Sequence, residues 1–341
     1  MNNVSMRHIP AEWEVDGDIL MAWPHDGTDW RYMLEEVHEC YARIIKALTG
    51  QGIRVILLTP DGKVDPSIAD IDKSLLIPVN YLTDDTWTRD YGPVSFSDRS
   101  YADFQFNGWG MKFGASRDNL ATMHLRDAGV MKGHYVSCLD FVLEGGSIES
   151  DGKGTILTTT ECLMSLNRNG GKYTPGLKEE IRRRLCADRV LYINHGFLAG
   201  DDTDSHVDTL ARFAPGDTIL YVGCDNPQDE HFKALQAMKH DLMQMHTADG
   251  RHYNLIELPM PDPIHDEEGN RLPATYANFL VTPRALFLPV YGQPKKDRLA
   301  EQIMQIAFEM PVVTVDCRAL IQQHGSLHCA TMQIPKELMS I

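Results

Sequence analysis

Short apolar runs, each of strand length, alternate along this chain with amphipathic stretches at helical spacing. The run Ile19-Leu20-Met21-Ala22-Trp23 reads as a buried strand. Downstream, Val37, Cys40, Tyr41, Ile44 and Leu48 fall at i, i+3, i+4, i+7 and i+11 and make one apolar face of a helix. Gly50 and Gly52 stop it, and residues 53–58 form a second strand. Similar grammar returns four times. Strands are expected at 94–96 and 102–106, a helix at 119–130 and a strand at 134–138. Strands at 147–149 and 155–159 precede a helix at 175–185, with Thr174 as N-cap and Pro175 in the first turn, then a strand at 189–193. Next come strands at 207–213 and 218–222, a helix at 227–245 capped by Asn226, and a strand at 254–258. Last are strands at 277–281 and 285–289, a helix at 295–310 and a strand at 312–316. A short strand over 328–333 is left over, free to close a ring against the first unit.

The repeated unit is strand–strand–helix–strand, recurring five times at roughly 55–80 residues with little letter-by-letter identity. An α/β ring of such units buries its strands and carries its helices outside. A doubly wound sheet fits the paired strands before each helix poorly. No linker divides the chain, so residues 1–341 are expected to form a single domain.

Composition narrows the function. Of 341 residues, 43% are hydrophobic and 23% charged, as in globular proteins with a sizeable core. No apolar run is long enough to span a membrane. Residues 1–7 lack the apolar core of a signal peptide and read as a short tail. Seven scattered cysteines without a C-x-x-C pair argue against a disulfide framework or structural zinc site, and for a reduced, cytoplasmic setting. A net charge of −16 disfavours nucleic acid and acidic membrane as partners and favours a small cationic substrate.

Five places interrupt the apolar logic. Asp90 lies in Trp87-Thr88-Arg89-Asp90-Tyr91-Gly92-Pro93, where it also suits a turn. Glu144 stands before Gly145-Gly146. The run Asp201 to Asp208 contains His206 and Asp208, which share a face if the segment is a strand. Its Asp-x-Asp spacing also suits a divalent-metal loop, but it lacks the glycine and terminal glutamate of an EF-hand. Asn278 places an amide in an apolar run, and Cys329 sits in the closing strand. Alternation there turns His328 away from Cys329, leaving His206 as the base. A thiol, a histidine and several carboxylates form a nucleophile, a proton shuttle and a clamp for a planar guanidinium.

These segments, with Phe106-Asn107-Gly108-Trp109-Gly110, Asn167-Arg168-Asn169, Tyr276-Ala277-Asn278-Phe279-Leu280 and Leu327-His328-Cys329, resemble the agmatine deiminase family, grouped with bacterial-type peptidylarginine deiminases. The resemblance runs in order over nearly the whole chain. It implies a pentein fold, a five-bladed α/β propeller with pseudo-fivefold symmetry. It also implies hydrolysis of agmatine to N-carbamoylputrescine and ammonia without metal or organic cofactor. By the same resemblance Cys329 is the nucleophile, His206 the general acid/base, and Asp90 and Asp208 bind the guanidinium. Trp87 and Asn278 line the site, and Glu144 supports His206 or the substrate. Asp84, Asp85 and Trp109 are candidates to read the distal amine, and homodimers are common in the family. This chain has His324-Gly325-Ser326-Leu327 where many members carry a glycine-rich run, Ser205 where glycine is frequent, and Thr209 where asparagine is.

Overall fold

The first blade takes its opening strand from the far end of the chain. In the computed structural model, which describes residues 7–171 and 174–340, β1 (Gly17–Ala22) pairs antiparallel with the last strand, β16 (Met332–Pro335), in the register Gly17↔Pro335 to Leu20↔Met332. On its other side β1 runs parallel to β2 (Val55–Thr59), which runs parallel to β3 (Leu76–Asn80). Of the tail expected over residues 1–7, residues 1–6 lie outside the described residues.

The remaining four sheets repeat one connection: an antiparallel pair, then a helical crossover to a parallel third strand. They are β4 (Val94–Ser95), β5 (Ser100–Gln105) and β6 (His134–Val142); β7 (Ile148–Ser150), β8 (Thr155–Thr159) and β9 (Arg189–Ile193); β10 (Ala211–Ala214), β11 (Thr218–Val222) and β12 (Asn254–Leu258); and β13 (Leu280–Val281), β14 (Leu286–Val290) and β15 (Val312–Asp316). The crossover helices are Leu34–Gly50, Ala121–Asp127, Leu177–Arg184, Phe232–Met243 and Pro294–Phe308. Every residue of β2, β8 and β11 is buried, as expected of strands covered on both faces. In the first helix the buried face includes Val37, Cys40, Tyr41, Ile44 and Leu48, the residues whose spacing predicts it.

Local structure departs from expectation where turn chemistry outweighs apolar pattern. The helix expected to be capped by Thr174 begins at Leu177 after Gly176, whose φ of +79° only glycine takes easily. The helix expected from Asn226 begins at Phe232, because Asn226 Oδ1 accepts from Gln228 N in a turn of its own. The strand expected at 207–213 is a 3-10 turn, Val207–Thr209, followed by β10. Upstream of it Asp201 accepts from Thr203 N and Ser205 N, and Asp204 and Ser205 both have φ of +63°. Residues 276–277 and 327–330 are likewise turns, so Asn278 and Cys329 precede β13 and β16 instead of lying in them. No helix of the described residues is long and apolar enough to cross a membrane.

Candidate active site

The five candidate segments occupy equivalent places. Each is the short, tightly turned stretch leading into the first strand of a blade: Asp90 before β4, Glu144 before β7, His206 and Asp208 before β10, Asn278 before β13, Cys329 before β16. A turn at this position carries a side chain past the strand end, and five such ends meet over one site. Strand alternation therefore does not decide which side chains face each other here.

Cys329 is 5% exposed. Its Sγ accepts from Asn278 Nδ2 at 3.2 Å and lies 3.7 Å from Asp208 Oδ2. Asn278 also fixes the turn, since its Oδ1 accepts from His328 N at 2.9 Å and Cys329 N at 3.3 Å. The helical turn Thr88–Tyr91 braces the same loop: Arg89 N donates to the Cys329 carbonyl and Thr88 Oγ1 to that of Ala330. Burial pushes the Cys329 thiol well above its ordinary range, and the charges of Asp208 and Asp90 push it further.

Asp90 is held at both oxygens: Oδ1 accepts from Gly146 N at 2.9 Å and Oδ2 from Trp109 Nε1 at 2.8 Å. Burial raises its pKa, the facing His206 pulls it back and Asp208 raises it again; the net direction is up. Trp109 reaches Asp90 from a backbone of φ +53°, wedged edge-on between Phe106 and Phe113. It therefore reads Asp90 directly as well as lining the cavity. Trp87 packs against Gly325, where a β-carbon would lie 2.4 Å from the indole ring.

His206 is fully buried between two carboxylates, Nε2 at 3.3 Å from Glu144 Oε2 and Nδ1 at 3.6 Å from Asp90 Oδ1. Burial alone would lower its pKa, but the Asp90 charge and contacts with Cys162 and Glu144 raise it well above the usual histidine value. The resting site thus pairs a neutral thiol with an imidazolium. Among the described buried atoms, His206 Nδ1 and Asp208 Oδ1 have no hydrogen-bond partner, the kind of vacancy a polar ligand fills.

Glu144 does not reach the cavity. Arg168 Nε donates to both of its oxygens, at 2.9 and 2.8 Å, and Arg168 Nη1 donates to Asp204 Oδ2 at 2.6 Å. Glu144 meets His206 Nε2 with Oε2, one of the oxygens that Arg168 binds. Arg168 is a functional residue that sequence reasoning noticed only as part of a motif. Gly146 is another, since a β-carbon there would lie 2.7 Å from His206 Nδ1, 2.8 Å from Asp90 Oδ1 and 3.0 Å from Asp208 Oδ2.

His328 and Cys329 lie in a turn and not in the expected strand, yet the His328 ring is directed at two carboxylates and not at the Cys329 sulfur. Because the segment is a turn, its ring contacts Asp208 Oδ2 through Nδ1 at 2.7 Å and Glu12 Oε1 through Nε2 at 2.7 Å. Asp208 accordingly pairs with His328; burial would raise its pKa, but His328 holds it below the usual carboxylate value.

The acid-rich run does not converge as a metal loop. Asp201 caps the turn, Asp204 pairs with Arg168 and Lys112, and Asp208 pairs with His328. Glu144, Cys162 and His206 do place one ligand atom each within 4.8 Å of one another. Arg168 already occupies both Glu144 oxygens, so a cation there would compete with a guanidinium.

A cavity opens on Cys329, Asp90, Trp87 and Trp109. Asp29, Asp85 and Asp202 also line it, and among the described residues no lysine or arginine does. Of the three candidates for a distal cation, Asp84 is committed to Arg117 at 3.1 Å, whereas Asp85 lines the cavity. Burial pushes the Asp85 carboxyl up to about 7.

The sequence profile of the Porphyromonas-type peptidyl-arginine deiminase family matches residues 8–335. The agmatine deiminase of Ectopseudomonas mendocina is 30% identical over 355 residues, covering 96% of this chain and 95% of that one. Among solved structures, C. jejuni agmatine deiminase with substrate bound superposes with a TM-score of 0.90 at 33% identity, covering 98% and 97% of the two chains. A structure provisionally assigned as an arginine deiminase from Porphyromonas gingivalis gives 0.90 at 42% identity over 98% and 99%. Dimethylarginine dimethylaminohydrolase from Pseudomonas aeruginosa, at 14% identity and a TM-score of 0.54 over 94% and 100%, shares the fold. The architecture is the pentein fold.

Proposed function

We propose that this chain, which belongs to the Porphyromonas-type peptidyl-arginine deiminase family, is an agmatine deiminase that releases ammonia from the guanidinium through a covalent intermediate on Cys329. The observation that carries this reading is the meeting of Asp90, Asp208, His206 and Cys329 beside a cavity lined by Asp29, Asp85, Asp90 and Asp202 and, among the described residues, by no lysine or arginine. A guanidinium with a second cation at its far end suits such a cavity, whereas the α-carboxylate of free arginine meets uncompensated negative charge.

Asp90 and Asp208 hold the substrate cation. Its charge offsets the two carboxylates that keep the thiol protonated, so the thiol gives its proton to solvent when substrate binds and takes one back when the product leaves. The thiolate attacks the guanidinium carbon, forming a C–S bond. The imidazolium of His206 gives its proton to one amino nitrogen, which leaves as ammonia and leaves a thiouronium on sulfur. Neutral His206 then takes a proton from water as the oxygen adds to the same carbon. The C–S bond breaks, the thiolate is regenerated, and the second water proton ends on ammonia. Asn278 steadies the sulfur throughout. No step needs a cofactor. The whole described chain works as one unit, because every blade supplies one of the segments. Seven free cysteines accord with a cytoplasmic setting.

A deiminase of peptidyl-arginine is the second reading, favoured by the 42% identity to the P. gingivalis protein. Ammonia release from agmatine, free arginine and an arginyl peptide separates the two. Agmatine is expected to have the highest kcat/KM, unchanged by chelator, with Cys329→Ala costing at least roughly 10⁴-fold. Faster turnover of the peptide, or full activity in Cys329→Ala, would overturn the proposal.

A further inference from the structure

Glu12 lies outside the cavity, on the 3-10 turn Glu12–Glu14 that precedes the first blade. From there it touches three residues, and each leads directly to a different part of the site. Oε1 meets His328 Nε2 at 2.7 Å and Arg89 Nη2 at 2.8 Å; Oε2 meets Arg212 Nη2 at 2.8 Å. We propose that Glu12 is a positioning residue of the active site, aligning Asp208, Asn278 and the Cys329 turn through His328, Arg212 and Arg89.

The first arm runs through His328. The ring lies between two carboxylates, with Nε2 against Glu12 Oε1 and Nδ1 against Asp208 Oδ2. Glu12 thereby fixes the ring plane, and the ring fixes Asp208 Oδ2, the oxygen 3.7 Å from the nucleophilic sulfur. The second arm is Arg89, whose Nε donates to the Thr331 carbonyl at 2.9 Å while its backbone N donates to that of Cys329 at 3.2 Å. Asp90 is the next residue. The third arm is Arg212, fully buried, which donates from Nη1 to the carbonyls of Ala277 and Phe279 on either side of Asn278. It is also held by Glu149 at 2.7 Å.

One carboxylate therefore lies one residue away from the guanidinium clamp, the sulfur's amide partner and the nucleophile's backbone. Burial works against its ionisation, but His328, Arg89 and Arg212 together hold it well below the glutamate range. The arrangement would matter for rate because a misplacement of about 1 Å costs on the order of 100-fold.

The inference rests on the deiminase reading, and its test keeps the two apart. Glu12→Gln removes the charge from all three arms; His328→Asn touches only one, and the asparagine amide can still donate to Asp208. Both variants and the double variant are assayed on agmatine, with kcat/KM expressed per folded molecule from the melting curve. Each single change is expected to lower kcat/KM by about tenfold or more. The double variant is expected to lose less than the product of the single losses, since the two residues share an arm. Losses that vanish after correction for folded fraction, or that multiply, would overturn the proposal. Alkylation of Cys329 by iodoacetamide needs no substrate and is expected to change severalfold in Glu12→Gln; an unchanged rate also counts against it. If the native chain releases no ammonia from agmatine, the functional reading fails and the alkylation rate still decides the positioning role.

Discussion

A methyl group on Gly146 would sit within 3.0 Å of His206 Nδ1, Asp90 Oδ1 and Asp208 Oδ2 together, while the backbone N–H beside it donates to Asp90. The residue serves by lacking a side chain and by offering its amide. Gly146→Ala is expected to lower kcat/KM by at least about 100-fold, with the urea midpoint used to confirm that the protein stays folded; activity within a few fold of native would remove Gly146 from the site. The sequence shows the double glycine after Glu144 but offers only a turn to explain it, because close approach leaves no local mark. Chemistry did mark Cys329, Asp90 and His206, each being a poor choice for a core and a good one for a guanidine hydrolase. His328 lies in a turn, where strand alternation does not apply, and its ring pairs with Asp208 and Glu12. Ser205 and His324 carry φ of +63° and +66°, so the backbone keeps left-handed turns at two positions where glycine is the easier residue.

At the scale of elements, ring closure depends on a tight pairing. A β-carbon on Gly17 would lie 2.4 Å from the carbonyl oxygen of Ile334 across the β1–β16 ladder. Gly17→Ala is therefore expected to destabilise the protein by about 1–3 kcal/mol, measured by urea unfolding. Activity should fall with it, since β16 continues directly from the Cys329 turn. An unchanged midpoint would show that the ladder yields without cost. Short β-forming runs, such as those of β8, β11 and β12, are legible to the residue. β3 is not, because Pro78 and its half-exposed flanks hide it as an edge strand. Helix starts were misplaced wherever Asx turns or Gly176 competed with the apolar period. The 3-10 turn at Val207–Thr209 was missed for the same reason.

At the scale of the whole molecule, fivefold order was legible because the grammar of strands and helices repeats even where letters do not. What that grammar leaves out is convergence: the stretch before each blade's first strand delivers one part of the site, and such turns have no hydrophobic period to read. The ring supplies a thiol, a buried imidazolium and carboxylates, and the net charge of −16 draws cations toward them. The central claim is covalent chemistry at one sulfur. Acid-quenched turnover with agmatine, followed by peptide mapping, tests it most directly. The account predicts an adduct equal to agmatine less ammonia on the peptide containing Cys329, on none of the other six cysteines, and absent from Cys329→Ala. Turnover of agmatine with an unmodified Cys329 at every quench time, persisting in Cys329→Ala, would contradict it.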